Sequence, residues 1–98
     1  MLLVEWRPTA VVDLLTILTY ISEANVQAAT DLKIRIDRAL RHLGANPYLY
    51  KPSDRVEGAR EIVISPNYIL FYQVTSKIEV LAIVHARQKH VPPPIPTA

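Results

Sequence analysis

Three runs rich in Val, Ile, Tyr and Phe in the second half of the chain constrain its fold more than any other feature. They occupy residues 58–65, 68–74 and 78–88, and only two or three residues separate each run from the next. Such runs are typical of β-strands. Because breaks this short cannot contain crossover helices, the three strands must pair antiparallel, as a meander.

Two amphipathic patterns precede the meander. Thr9 is suited to cap a first helix, whose apolar positions recur at helical spacing: Val11, Leu14, Leu15, Leu18 and Ile21. Asn25 is suited to cap a second helix, which carries an apolar stripe over residues 28–43 and stops at Gly44. The link between the patterns is so short that the two helices must form an antiparallel hairpin.

The remaining segments complete an α+β domain. A short apolar run at residues 2–6, stopped by Arg7 and Pro8, predicts an edge strand, and residues 46–57 form a loop. The predicted fold is an N-terminal strand and an antiparallel helical hairpin packed on one face of an antiparallel sheet, in the order β-α-α-β-β-β. We expect one domain over residues 1–88 and an extended tail over residues 89–98, which contain four prolines.

Composition narrows the classes of function. The formal net charge of +2 and the pI near 9.1 favour an acidic partner, either a protein or a nucleic acid. The absence of cysteine excludes disulfides and thiolate metal sites, and is consistent with a reducing cytoplasm. The chain begins without signal-peptide features and has no apolar run of membrane-spanning length. We therefore expect a cytoplasmic protein that uses no metal or cofactor and no membrane.

The few polar side chains in the strands are the candidates for function. We expect the sheet face without helices to hold the exposed polar groups, with Arg60, His85 and Arg87 grouped on or beside it. His85 and Arg87 are two residues apart on a strand, so they project from the same face. Structural roles remain open for these residues, because a histidine often closes an apolar strand and Arg60 could pair with a carboxylate such as Glu57.

Two further patterns have simpler explanations. Arg35, Arg38 and His42 form a basic ridge along the second predicted helix, a pattern typical of a solvated helix face. Tyr68 and Tyr72 alternate on one face of the middle strand, which predicts cross-strand packing. Neither pattern is specific for one function.

Four segments resemble the RelE/ParE toxins of bacterial type II toxin–antitoxin modules. They are VEWRPTAVVDLLTILTYISEAN, AATDLKIRIDRALRHLGANP, GAREIVISPNYILFYQV and IEVLAIVHARQ, and they follow the family's order across residues 3–88. The resemblance implies the same fold and a plasmid-stabilising toxin that blocks growth when free. It also implies a cognate antitoxin that neutralises the toxin within a hetero-oligomer.

The two branches of the family differ in their molecular target, and the resemblance to the family as a whole does not decide between them. RelE-like members cleave messenger RNA on the ribosome, and on that reading Arg60, His85 and Arg87 would be catalytic. ParE-like members inhibit DNA gyrase and are not nucleases; on that reading Arg60, Arg87 and Lys89 would bind the antitoxin or the target. RelE-like nucleases usually place a Tyr after the last strand, which this chain lacks, and a charge of +2 is low for a ribosome binder. We therefore favour the ParE-like reading, with an mRNA endonuclease or a non-toxic antitoxin-binding member as alternatives.

Overall fold

The computed structural model describes residues 1–87 and confirms the predicted order of elements. They are β1 (Val4–Trp6), α1 (Pro8–Ala24), α2 (Val26–Leu43), β2 (Arg60–Ser65), β3 (Tyr68–Val74) and β4 (Ile78–His85). The helical hairpin packs on one face of the sheet, as predicted. In this part of the chain no helix has both the length and the apolar character needed to cross a membrane. The predicted tail over residues 89–98 lies outside the described residues, so the division into domain and tail stays a prediction.

The sheet has the strand order β1-β4-β3-β2. The meander of β2, β3 and β4 is antiparallel, whereas β1 joins β4 in parallel, with Val4 opposite Ile78, so the sheet is mixed. A parallel pair needs a long connection between its strands. The hairpin, the loop and two strands provide that connection here.

The two helices begin differently. Arg7 is the N-cap of α1 and makes no capping hydrogen bond with its side chain, while Pro8 is the first helical residue, so the prediction of Thr9 as the cap is wrong. The fixed φ of proline suits the first helical position, which explains the earlier start. The predicted cap of α2 is confirmed, because Asn25 Oδ1 accepts from the Ala28 N–H at 3.0 Å.

Both faces of the sheet carry an apolar cluster. The helix-side cluster joins the hairpin to the sheet and includes Leu32, Ile36, Leu40, Leu43, Ile62, Ile64, Leu70, Tyr72, Ile78 and Val80. The other face holds Ile69, Phe71, Leu81, Ala82 and Val84, packed with Val56 and Ala59 of the loop. The expectation that exposed polar groups gather on this second face is therefore wrong. The reason is that β3 and β4 are apolar on both sides, as in strands buried on both faces.

Candidate functional site

Arg60 opens β2 on the face that the hairpin covers, because it lies opposite Tyr72 of the helix-side cluster. Its Nη1 donates to the Tyr50 carbonyl at 2.6 Å, and its guanidinium carbon lies 4.8 Å from the centre of the Tyr48 ring. Within residues 1–87, Glu57 is not an ion-pair partner of Arg60. Arg60 therefore holds the loop against the sheet through a carbonyl and a cation–π contact.

Tyr72 provides a second attachment for the same loop. Its side chain is fully buried, and its hydroxyl donates to the Pro47 carbonyl at 3.0 Å. Burial raises the pKa of Tyr72, so the hydroxyl remains a donor at neutral pH. The packing role predicted for this tyrosine is confirmed, and its hydroxyl adds a fixed anchor to residues 46–59.

His85 ends β4 at the other end of the sheet. It lies opposite Tyr68, and the two rings meet edge to face with centroids 5.3 Å apart. Its Nδ1 accepts from the Arg87 backbone N–H at 3.1 Å, which leaves the proton of the neutral ring on Nε2. The Arg87 side chain is exposed, and Lys89 lies outside the described residues.

The structure brings His85 and Arg87 together but places Arg60 far from both. Their partners Tyr72 and Tyr68 are four residues apart on β3, and β2 and β4 flank β3 on opposite sides. With a rise of about 3.3 Å per residue and strands about 4.8 Å apart, the Cα atoms of Arg60 and His85 are roughly 16 Å apart. The expected grouping is therefore wrong. The first and third strands of a meander run the same way, so the start of one and the end of the other lie at opposite ends.

A cavity of about 530 Å³ opens beside His85, between the hairpin and the β2–β3 turn. Hydrogen-bond donors from Tyr20, Arg35 and Tyr68 line it together with Asp31. Burial raises the pKa of Tyr68, and the neighbouring Tyr20 phenol adds to the shift. The cavity can therefore take a polar or anionic group. Sequence reasoning did not identify Tyr20 or Asp31, because only the crossing of the hairpin over the sheet brings them to His85.

Two buried carboxylates on the helix-free side have internal partners. Glu79 Oε1 lies 2.8 Å from Arg7 Nη2, and Glu79 Oε2 accepts from Gln73. Glu61 accepts from the Ser53 hydroxyl at 2.9 Å. Glu79 therefore connects β4 to β3 and to Arg7, and Glu61 connects β2 to the loop that precedes it. Residues 1–87 contain no group of three or more His, Asp or Glu side chains that could hold a metal ion.

Asp13 connects α1 to β4. Its Oδ2 accepts from the Ile83 N–H at 3.1 Å, beyond the point where the pairing with β1 ends at Val80. Burial raises the pKa of Asp13, and the hydrogen bond from Ile83 opposes that shift. The carboxylate therefore accepts a hydrogen bond from a backbone N–H on the outer edge of β4, at a position that β1 is too short to reach.

Comparisons with known proteins agree on the kind of protein that this chain resembles. A family model described as the ParE toxin of the type II toxin–antitoxin system parDE matches residues 4–90. The candidate toxin Y4kP of Sinorhizobium fredii (strain NBRC 101917 / NGR234) is 30% identical over 87 residues, which cover 88% of this chain and 90% of that protein. A solved structure described as a chromosomal ParDE TA system from P. aeruginosa shares the fold. It has a TM-score of 0.70 at 23% identity and covers 87% of this chain and 96% of that one.

Proposed function

The chain belongs to the ParE toxin family of type II toxin–antitoxin systems, and on that premise we propose that it inhibits DNA gyrase and is neutralised by a cognate antitoxin. The toxin and the antitoxin would form a hetero-oligomer in the cytoplasm, where gyrase acts. Exposed Arg87, together with Lys89, would contact the antitoxin or gyrase. Arg60 would contribute indirectly, by holding the loop over residues 46–59 in place.

The separation of Arg60 from His85 and Arg87 is the observation that carries this proposal. Metal-free RNA cleavage needs a base, a cation for the phosphate and an acid around one phosphodiester. Arg60 is bound to the Tyr50 carbonyl at the opposite end of the sheet, so these three residues do not surround one phosphate. Binding to a protein target requires no such centre. The geometry therefore favours gyrase inhibition over the RelE-like alternative.

A supercoiling assay tests the proposal directly. The purified chain should inhibit ATP-dependent supercoiling of a relaxed plasmid by gyrase, and one equivalent of antitoxin should restore it. The same preparation should leave ribosome-bound messenger RNA intact in a primer-extension assay. Arg87→Ala should weaken the inhibition or the antitoxin's affinity, whereas Arg55→Ala, at another exposed arginine, serves as the matched control.

Two results would contradict the proposal. Unimpaired supercoiling at a large excess of folded chain, combined with cuts in ribosome-bound messenger, would establish the endonuclease alternative. Unimpaired supercoiling, intact messenger and normal growth during expression without antitoxin would identify a non-toxic member of the family.

A further inference from the structure

The face of β3 and β4 that the hairpin does not cover is nevertheless closed to solvent. Its apolar side chains are at most 7% exposed: Ile69, Phe71, Leu81, Ala82 and Val84. Apart from the strands and Ala86, which follows β4, residues 1–87 contribute only Val56 and Ala59 of the loop to this apolar cluster. A sheet face leaves water only when a second layer packs on it. Two loop side chains are a small layer for a face of this size.

Exposure along one row of the sheet shows where further cover lies. Val63, Ile69 and Val84 are neighbours across β2, β3 and β4. Val63 projects from the same face as the other two, because the residues on either side of it belong to the helix-side cluster. Val63 is 62% exposed, whereas Ile69 is 5% and Val84 is 4% exposed. Water therefore reaches the end of β2 but not the side chains beside it on β3 and β4.

The loop does not account for this pattern. It meets the face at the start of β2, where the Ser53 hydroxyl donates to Glu61 at 2.9 Å. The row of Val63 lies two residues further along β2, or roughly 7 Å. A layer that extended from the loop would cover Val63 before it reached Val84, which lies two strands away. The cover of this row therefore comes from the side of β4.

The chain leaves the sheet at the same place. β4 ends at His85, the Ala86 N–H donates to the Asn67 carbonyl at 2.7 Å, and Ala86 packs against the apolar cluster. The sequence continues after Arg87 with QKHVPPPIPTA, in which six of the eleven residues are Val, Pro or Ile and none is acidic. An apolar segment thus follows directly from the edge of an apolar face.

We propose that residues 89–98 lie across this face as an extended strap, with Val91 and Ile95 packed on the apolar cluster of β3 and β4. The four prolines suit that place, because proline has no N–H group that would be buried without a partner. A polyproline II segment makes no internal hydrogen bonds and can keep its outer carbonyls in water. The low exposures are those of a single chain, so neither a second copy nor another protein is needed to close the face.

The segment is long enough for this path. At about 3.1 Å per residue, the eleven residues after Arg87 span about 34 Å. The cluster on β4, from Val84 to Leu81, is roughly 10 Å long at about 3.3 Å per residue. Val91 and Ile95 are about 12 Å apart in a polyproline II segment, so a chain that turns after Arg87 brings Val91 to Val84 and Ile95 to Leu81.

Methyl NOEs measured on the full chain test the strap directly. In isotope-labelled protein, the methyl groups of Val91 and Ile95 should show cross-peaks to those of Ile69, Leu81 and Val84. A mixture of labelled and unlabelled chains separates contacts within one chain from contacts between copies. Random-coil shifts for Val91 and Ile95 without cross-peaks to the sheet would overturn the proposal. Cross-peaks found only between copies would also overturn it, by showing that a second chain covers the face.

Ile95→Asp measures what the strap contributes to stability. An aspartate cannot be buried unpaired on an apolar surface, so the strap should detach and the dye ANS should bind the uncovered face. The folding equilibrium constant should fall by at least about tenfold, because burial of an isoleucine side chain contributes that much. Thr97→Asp adds the same charge at a polar residue of the same segment and should change neither readout. Unchanged stability and dye binding in Ile95→Asp, or equal changes in both variants, would contradict the proposal.

Discussion

Replacing Asp13 tests whether its contact with the edge of β4 stabilises the fold. Asp13→Ala leaves the Ile83 N–H without its acceptor, and a hydrogen bond to a charged group contributes about 1.5–3 kcal/mol. The contact is only partly buried, so the lower figure applies. Alanine recovers about 0.5 kcal/mol through its higher helix propensity. The expected net loss is about 1 kcal/mol, which lowers the Tm of a domain this size by about 4–8 °C.

Asp13→Asn separates the hydrogen bond from the charge. Its amide oxygen can still accept from Ile83, so stability at pH 7 should stay within about 0.5 kcal/mol of the wild type. Burial raises the pKa of Asp13 in the folded chain above its ordinary value of 3.8, so the folded state binds the proton more tightly than the unfolded state. The wild type should therefore gain stability relative to the Asn variant as the pH falls from neutral, through the folded pKa, to 3.8.

Thermal unfolding followed by circular dichroism at several pH values measures both effects. A Tm of Asp13→Ala equal to that of the wild type would show that the Ile83 contact contributes no more than the roughly 0.5 kcal/mol that alanine recovers through its helix propensity. A wild type that loses stability relative to Asp13→Asn on acidification would show that the hydrogen bond outweighs burial in setting the pKa.

Three further substitutions are best measured by urea denaturation. Tyr72→Phe should cost about 1–2 kcal/mol because the Pro47 carbonyl loses its donor; an unchanged midpoint would mean that water replaces the hydroxyl without loss. Arg7→Ala should cost about 3 kcal/mol by leaving Glu79 buried without its cation, and adding Glu79→Gln should recover part of that loss; no recovery would contradict the charge explanation. Leu43→Ala should cost about 3 kcal/mol because the side chain is fully buried, and a loss below 1 kcal/mol would indicate that the core collapses around the site.

Local signals predicted most of the fold. The short breaks around β3 determined the meander, and Asn25 marked the boundary between the helices. The direction of β1 could not be predicted in the same way, because its partner Ile78 lies near the other end of the described chain. The apolar run from Tyr68 to Tyr72 already contained the signal for burial on both faces, since a strand with one solvated face alternates with polar residues.

Less of the candidate site than of the fold could be predicted from the sequence. The opposite positions of Arg60 and His85 follow from the strand directions of a meander, so the grouping could have been rejected without a structure. The placement of Arg35, Tyr20 and His85 around one cavity could not have been foreseen. It depends on the angle at which the hairpin crosses the sheet, which no local pattern encodes. The position of the basic ridge beside residues 62–64 of β2 likewise emerged only from the structure.

The parallel pairing of β1 with β4 has a consequence for how the protein is made. Glu5 of β1 and Lys77, directly before β4, are 72 positions apart and form an ion pair of 2.8 Å. At about 5–20 residues per second, β1 is synthesised about 4–14 s before its neighbour. During that interval β1 is present in the nascent chain, but β4, the strand with which it pairs, has not yet been synthesised. A chain released before Ile78 would therefore lack β4 and leave β1 without a partner, whereas a chain that had lost its first six residues would lack β1 alone.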